Sequence, residues 1–181
     1  MPTAKEACLL TGGPGTGKTT IIKQALASFE GRARGFYTEE IREGGIRQGF
    51  RIITMDGQVA TLAHTQIRGP HRVGKYGIDV EGLEGVGVAA LTEALEEQDL
   101  LVIDEIGKME LLSPRFREAV REALEGGKRV LGTIMLAPHP WADEIKRHPR
   151  VWLLPVSREN RPWVLDEVRR WLGALGRAGQ Q

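Results

Sequence analysis

Gly12-Gly13-Pro14-Gly15-Thr16-Gly17-Lys18-Thr19, set between the apolar run Glu6-Ala7-Cys8-Leu9-Leu10-Thr11 and the helical pattern that opens at Thr20-Ile21-Ile22, decides the fold. It fits G-x-x-x-x-G-K-[ST] in the strand–loop–helix context that a phosphate-binding loop requires. Glycines let the backbone turn so that successive N–H groups point inward at phosphate oxygens, and the helix N-terminus adds its partial positive charge. The phosphate-binding set is therefore Gly12, Gly13, Pro14, Gly15, Thr16, Gly17, Lys18, Thr19 and the following Thr20. Lys18 is placed to reach β- and γ-phosphates as a point charge. The Thr19 hydroxyl suits Mg²⁺, which prefers oxygen ligands in octahedral geometry.

The second half of the site lies far downstream, where Leu100-Leu101-Val102-Ile103 ends in Asp104-Glu105. An unbroken apolar run of this kind is what a central parallel strand needs when helices cover both faces, and ligands gather at the C-terminal ends of such strands. Asp104 is the expected second Mg²⁺ holder. Glu105 is the more discriminating residue, because a carboxylate there can polarise a water for in-line attack on a γ-phosphorus.

The bulk properties fit one soluble enzyme domain. The chain has 181 residues, enough for one sizeable core. Its 25 basic and 24 acidic side chains leave a net charge of +1 with no basic arm or acidic tail. The lone Cys8 falls inside the first strand, which excludes a disulfide framework and suits a reducing compartment. No apolar run reaches membrane-span length and the N-terminus carries no signal-peptide pattern, so a cytoplasmic monomer is expected.

Strands and helices alternate with short connections, which predicts an α/β fold with a mostly parallel sheet flanked by helices. Residues 33–38 read as a strand, 41–53 as a hairpin around Gly44-Gly45, 59–63 and 76–80 as further strands; residues 35–80 form a β-rich elaboration. Helices are expected at Val86 to Glu96, Pro114 to Glu125, Pro140 to Arg147 and Trp163 to Leu175, and strands at 129–134 and 151–155. In the last helix Trp163, Val164, Val168, Trp171, Leu172 and Leu175 form a core-facing stripe. Residues 1–175 make one domain, and 176–181 read as a frayed tail.

At this point the chain resembles a known family, the small nucleoside triphosphatases of thermophilic archaea and bacteria with animal relatives, P-loop NTPases with a catalytic glutamate. The resemblance covers almost the whole chain. It is carried by Gly12 to Thr19, by Gly35-Phe36-Tyr37-Thr38-Glu39-Glu40-Ile41-Arg42, by Gly74-Lys75-Tyr76-Gly77-Ile78-Asp79-Val80, by Asp104-Glu105-Ile106-Gly107-Lys108-Met109-Glu110, and by Ser157-Arg158-Glu159-Asn160-Arg161. It implies a RecA-like parallel sheet with the β-hairpin elaboration, and slow Mg²⁺-dependent hydrolysis of several nucleoside triphosphates to the diphosphate and phosphate.

Secondary positions carry open alternatives. Thr133, at the end of the strand after Asp104-Glu105, fits either a γ-phosphate sensor or a buried strand-end hydroxyl. Lys108 fits a charge stabiliser or a solvated lysine. Arg158, Asn160 and Arg161 offer guanidinium planes and an amide where related folds hold the base, and equally fit the first turn of the terminal helix. The dispersed His64, His71, His139 and His148 receive no metal role. Two other functions share the phosphate apparatus: a kinase with an acceptor pocket in the β-rich region, and a nucleotide-gated RNA- or protein-binding module using Arg42, Arg47, Arg51, Arg68, Arg72 and Lys75. Glu105 favours hydrolysis over the first, and charges on a hairpin are usually a solvated face, which leaves nucleic acid disfavoured.

Overall fold

The computed structural model describes residues 5–93 and 99–178. Its strands are β1 (Ala7–Thr11), β2 (Ala33–Glu43), β3 (Ile46–Thr54), β4 (Val59–His64), β5 (Arg72–Val73), β6 (Tyr76–Ile78), β7 (Leu100–Ile106), β8 (Arg129–Ile134) and β9 (Val151–Pro155). They form one sheet in the order β5-β6-β4-β3-β2-β7-β8-β1-β9. From β2 to β9 the pairing is parallel, and from β2 out to β5 it is antiparallel. The expected mostly parallel sheet with a β-rich flank is thus one continuous surface. β8 stands between β1 and β7, so the phosphate loop and Asp104-Glu105 leave strands two places apart, roughly 10 Å at the usual strand spacing.

The helices are α1 (Lys18–Ala27), α2 (Val80–Gly82), α3 (Ala89–Thr92), α4 (Pro114–Glu125), α5 (Pro140–Lys146) and α6 (Arg161–Ala178). They cover both faces, which is why the central strands are apolar throughout. Along β1, Ala7 and Leu9 enter one core cluster with Phe36, Ile103 and the α4 residues Phe116 and Val120. Cys8 and Leu10 enter the other with Ile21 and Ile22 of α1 and Val164, Val168 and Trp171 of α6. Burial pushes the Cys8 thiol up to about 12, in keeping with a core residue. Each buried leucine or isoleucine contributes roughly 1.5–3 kcal/mol, so the strands that carry the site belong to the best-anchored part of the molecule. Pro114 at the first position of α4 and the Ser113 hydroxyl accepting from the Phe116 N–H at 3.0 Å fix where that helix starts.

Several boundaries differ from the sequence expectation. The strand read at 33–38 and the first hairpin arm are one strand, since nothing between Thr38 and Ile41 breaks it, and Gly44-Gly45 close the hairpin with φ of 57° and 77°. The strand expected at 76–80 stops at Ile78, because Asp79 caps a helical run by accepting from the Gly82 N–H at 2.8 Å. That run passes from α2 through a π-helical turn (Leu83–Val88) into α3, six residues earlier than the start expected at Val86, which three nearby glycines obscured. The expected end of that helix, residues 94–96, lies outside the described residues. β7 continues past Ile103 through Asp104-Glu105 to Ile106. α5 ends at Lys146, and α6 starts at Arg161 and runs to Ala178, beyond the end expected at Leu175. Trp163 leaves the expected stripe: it is 51% exposed in the first turn, while Val164 and Val168 are fully buried.

Candidate active site

The loop after β1 is shaped by positions that tolerate no side chain. Gly15 and Gly17 have φ of 73° and 94°, a region that L-residues avoid. A Cβ on Gly12 would lie 2.5 Å from the Val156 carbonyl oxygen. Gly17 caps α1 with no side-chain acceptor, which leaves the first N–H groups of the helix for a ligand. Lys18 folds over this cradle, its Nζ donating to the carbonyls of Gly12 at 2.5 Å and Gly13 at 3.2 Å. Thr16 braces the same loop by donating to the Gly13 carbonyl at 2.9 Å.

Two of the predicted residues converge on the carboxylate of a third. Thr19 Oγ1 donates to Asp104 Oδ2 at 2.7 Å, and Thr133 Oγ1 donates to Asp104 Oδ1 at 2.6 Å. Asp104 is 2% exposed; burial raises its carboxyl, opposed by the two hydroxyls and by the Lys18 charge. The adjacent Glu105 is also raised by burial, countered by Lys18 and reinforced by Asp104. A carboxylate whose proton affinity is lifted in this way is a better proton acceptor.

One acid was missed. Glu110 is 5% exposed and lines the same cavity, with its carboxyl pushed up to about 8 by burial and then by Glu105. A Cβ on Gly107 would lie 2.6 Å from Glu105 Oε1 and 3.1 Å from Glu110 Oε2, so the two acids face each other over that glycine. The signal was an acid embedded in the apolar run Met109-Glu110-Leu111-Leu112.

The cavity holds about 750 Å³ and is walled by the phosphate loop, Thr20, the three acids and Lys108 on one side, and by Thr38, Glu39, Glu40, Arg47 and Phe50 on the other. Lys108 is exposed at its mouth. Arg158, Asn160 and Arg161 sit in the corner between β9 and α6. There Asn160 Oδ1 accepts from the Ser157 N–H at 2.8 Å and its amide donates to the Pro155 carbonyl at 3.0 Å, while the Arg161 side chain packs over Gly17.

Comparison with known proteins agrees with this geometry. A family model described as NTPase matches residues 7–169. The chain is 47% identical over 160 residues to nucleoside-triphosphatase THEP1 of Thermotoga sp. strain RQ2, covering 88% of this chain and 91% of the relative. The crystal structure of THEP1 from Aquifex aeolicus superposes with a TM-score of 0.82 at 35% identity, over 91% of this chain and 98% of that one. The solution structure of a human cancer-related nucleoside triphosphatase gives a TM-score of 0.75 at 37% identity, over 90% and 94% of the two chains.

Proposed function

The chain belongs to the NTPase family, and from that premise we propose that it hydrolyses ATP, GTP, CTP and UTP to the diphosphate and phosphate, slowly, with Mg²⁺ and little regard for the base. A single observation carries this reading: Asp104 is held by Thr19 of the phosphate loop and by Thr133, with Glu105 beside it in the cavity that the loop opens into.

The donor set fits the ion. Among the described residues no group of three His, Cys, Asp or Glu is placed to hold a metal. One carboxylate and one hydroxyl, completed by phosphate oxygens and water, is how Mg²⁺ is usually bound in nucleotide sites. Thr19 and Asp104 would hold it, and it would supply positive charge against that of the outer phosphates.

The remaining steps belong to the chain. Glycine N–H groups and the α1 N-terminus bind the phosphates, and Lys18 leaves the Gly12 and Gly13 carbonyls for the β- and γ-phosphates. Glu105 orients a water opposite the bridging oxygen and takes its proton as the new bond to phosphorus forms. The phosphate loop supplies backbone contacts to phosphate and none to the base, which supports shallow base discrimination. No helix among the described residues is long and apolar enough to cross a membrane. A buried free thiol is in keeping with action in a reducing cytoplasm.

The test is phosphate release from the four triphosphates with Mg²⁺ and no acceptor, for wild type and Glu105→Gln. Wild type should turn over all four. The variant should bind nucleotide yet lose roughly 10² to 10⁴ in turnover, the contribution of a positioned base. Near-silence of wild type until a small hydroxyl acceptor is added would overturn hydrolysis in favour of a kinase.

A further inference from the structure

The first arm of the hairpin and the stretch around Tyr76 carry the family resemblance without a role, and Arg47 on the second arm bonds to both. Arg47 Nε donates to the Tyr76 hydroxyl at 2.9 Å, and Nη1 donates to Glu40 Oε1 at 3.2 Å. The guanidinium lies 5.2 Å from the Phe50 ring centroid and 5.9 Å from that of Tyr76. The two rings pack edge to face at 5.5 Å, and Tyr76 is 7% exposed. The Arg47 side chain keeps 44% of its surface exposed, yet two aromatic faces and the hydroxyl of a buried tyrosine hold the guanidinium in place. Its charge is also not cancelled locally. Glu40 is shared with Arg42, whose Nε takes the other oxygen at 2.7 Å, so one carboxylate serves two guanidiniums.

Position and charge give the mount a purpose. Phe36 of β2 pairs with Ile103 of β7, the residue before Asp104, and β2 runs on from that level into the hairpin, whose Arg47 lines the same cavity as the acids. Of the residues described as lining the cavity, Arg47 is the only arginine; the other cations, Lys18 and Lys108, lie on the loop and on the segment that follows Glu105. Asp104, Glu105 and Glu110 make that side acidic, although a transferring phosphoryl group spreads negative charge over its outer oxygens. Lys18 meets the phosphates from the loop, which leaves the hairpin side of the γ-phosphoryl for a second cation.

We propose that Arg47 is a catalytic cation of this site, engaging the γ-phosphoryl oxygens from the hairpin side opposite Lys18, with Tyr76 and Phe50 as its mount. The proposal rests on the hydrolase reading. As the bond from γ-phosphorus to the bridging oxygen breaks, its electron pair leaves with the diphosphate. Water supplies the new oxygen, Glu105 takes the proton, and Arg47 contributes charge and no atoms. Tyr76 is a positioning residue, since it acts only through Arg47.

The experiment compares wild type with Arg47→Ala, Arg47→Lys and Tyr76→Phe in kcat and KM for Mg-ATP. It also measures affinity for Mg-ADP with and without fluoroaluminate, which mimics the transferring phosphoryl group, and thermal melting to verify folding. Arg47→Ala should lose on the order of 10³ in kcat, the lower end for a supplied arginine, with KM within about threefold. It should bind Mg-ADP like wild type but lose the tightening that fluoroaluminate gives. Arg47→Lys should recover less than about a tenth of the lost rate, because an ammonium lacks the planar fork. Tyr76→Phe should lose about tenfold with the same split between kcat and KM. The proposal is overturned if Arg47→Ala keeps kcat within about tenfold of wild type, keeps a wild-type fluoroaluminate complex, or loses Mg-ADP binding in step with kcat. A wild type that releases no phosphate overturns the hydrolase reading itself, whatever the variants do.

Discussion

Thr133 donates its hydroxyl to Asp104 Oδ1 at 2.6 Å, the oxygen opposite the one that Thr19 engages. The strand between the phosphate loop and the acidic strand thus aims the carboxylate proposed to hold the ion, and the Thr133 hydroxyl is committed to it. Thr133→Val keeps the shape of a fully buried side chain and removes one hydrogen bond to a charged group. Such a bond contributes roughly 1.5–3 kcal/mol, so half-saturating Mg²⁺ should rise about 10- to 100-fold, with turnover recovering at high Mg²⁺ and in Thr133→Ser. A fall in kcat at unchanged Mg²⁺ dependence would instead make Thr133 a sensor of the γ-phosphate.

Gly107→Ala tests the acid pair from the backbone side. The added methyl would sit 2.6 Å from Glu105 Oε1 and 3.1 Å from both Glu105 Cγ and Glu110 Oε2, so the Glu105 side chain must shift and that of Glu110 must give. A misplacement of about 1 Å at a reacting group can cost 10²-fold. Phosphate release should fall at least that far while nucleotide affinity and melting temperature stay near wild type. Unchanged turnover would show that Glu105 works from another position.

The phosphate loop, Asp104 and Glu105 were legible because their chemistry is local: eight consecutive positions fix the cradle, and an apolar run ending in two acids fixes the opposing strand. Thr133 was legible in place but not in role, since a strand-end hydroxyl reads the same whether it faces phosphate or a carboxylate. Glu110 and Arg47 were not legible as residues that line the cavity. One hides in an apolar run whose burial only the fold reveals, and the other belongs to a hairpin whose charges are largely solvated, so that only the fold shows which of them lines the cavity. Trp163 and the π-helical entry into α3 show a limit of periodicity. A stripe does not say where the core it faces ends, and glycines dilute the pattern where the helix turns.

Glu110 should make the molecule lose stability as pH rises. Its carboxyl is pushed up to about 8 from 4.5, so between those values the folded chain holds a proton that the unfolded chain has released. Stability conferred below about pH 4.5 is then lost progressively up to about pH 8, by at most roughly 5 kcal/mol. Glu105 and Asp104 face it and are raised as well; the backbone N–H groups of Glu110 and Gly107 work the other way. Glu110→Gln removes the ionisation, so melting curves at pH 5 and pH 9 should differ less in the variant than in wild type. A residual slope from Glu105 and Asp104 should remain. Equal slopes in the two proteins would mean that Glu110 ionises in the ordinary carboxylate range.

Asn160 decides whether the corner after β9 reads the base or only holds the loop. Its side chain accepts from the Ser157 N–H and donates to the Pro155 carbonyl, and the Ser157 hydroxyl accepts from the Asn160 N–H at 3.3 Å, a closed local clamp. The clamp matters to the site through its neighbours. The Val156 N–H donates to the Thr11 carbonyl at 2.7 Å, and the Val156 carbonyl occupies the space that a Cβ on Gly12 would need. Asn160→Ala should therefore cost about 1–2 kcal/mol of stability from lost hydrogen bonds and raise KM for all four triphosphates by a similar factor. Its ranking of ATP, GTP, CTP and UTP should match wild type, because an amide already bonded on both its oxygen and its nitrogen has little left to offer a base edge. Steady-state kinetics on the four substrates, with melting curves alongside, separate the outcomes. A change in ranking of more than about tenfold at unchanged melting temperature would show that the clamp opens for the base and that specificity is read in this corner.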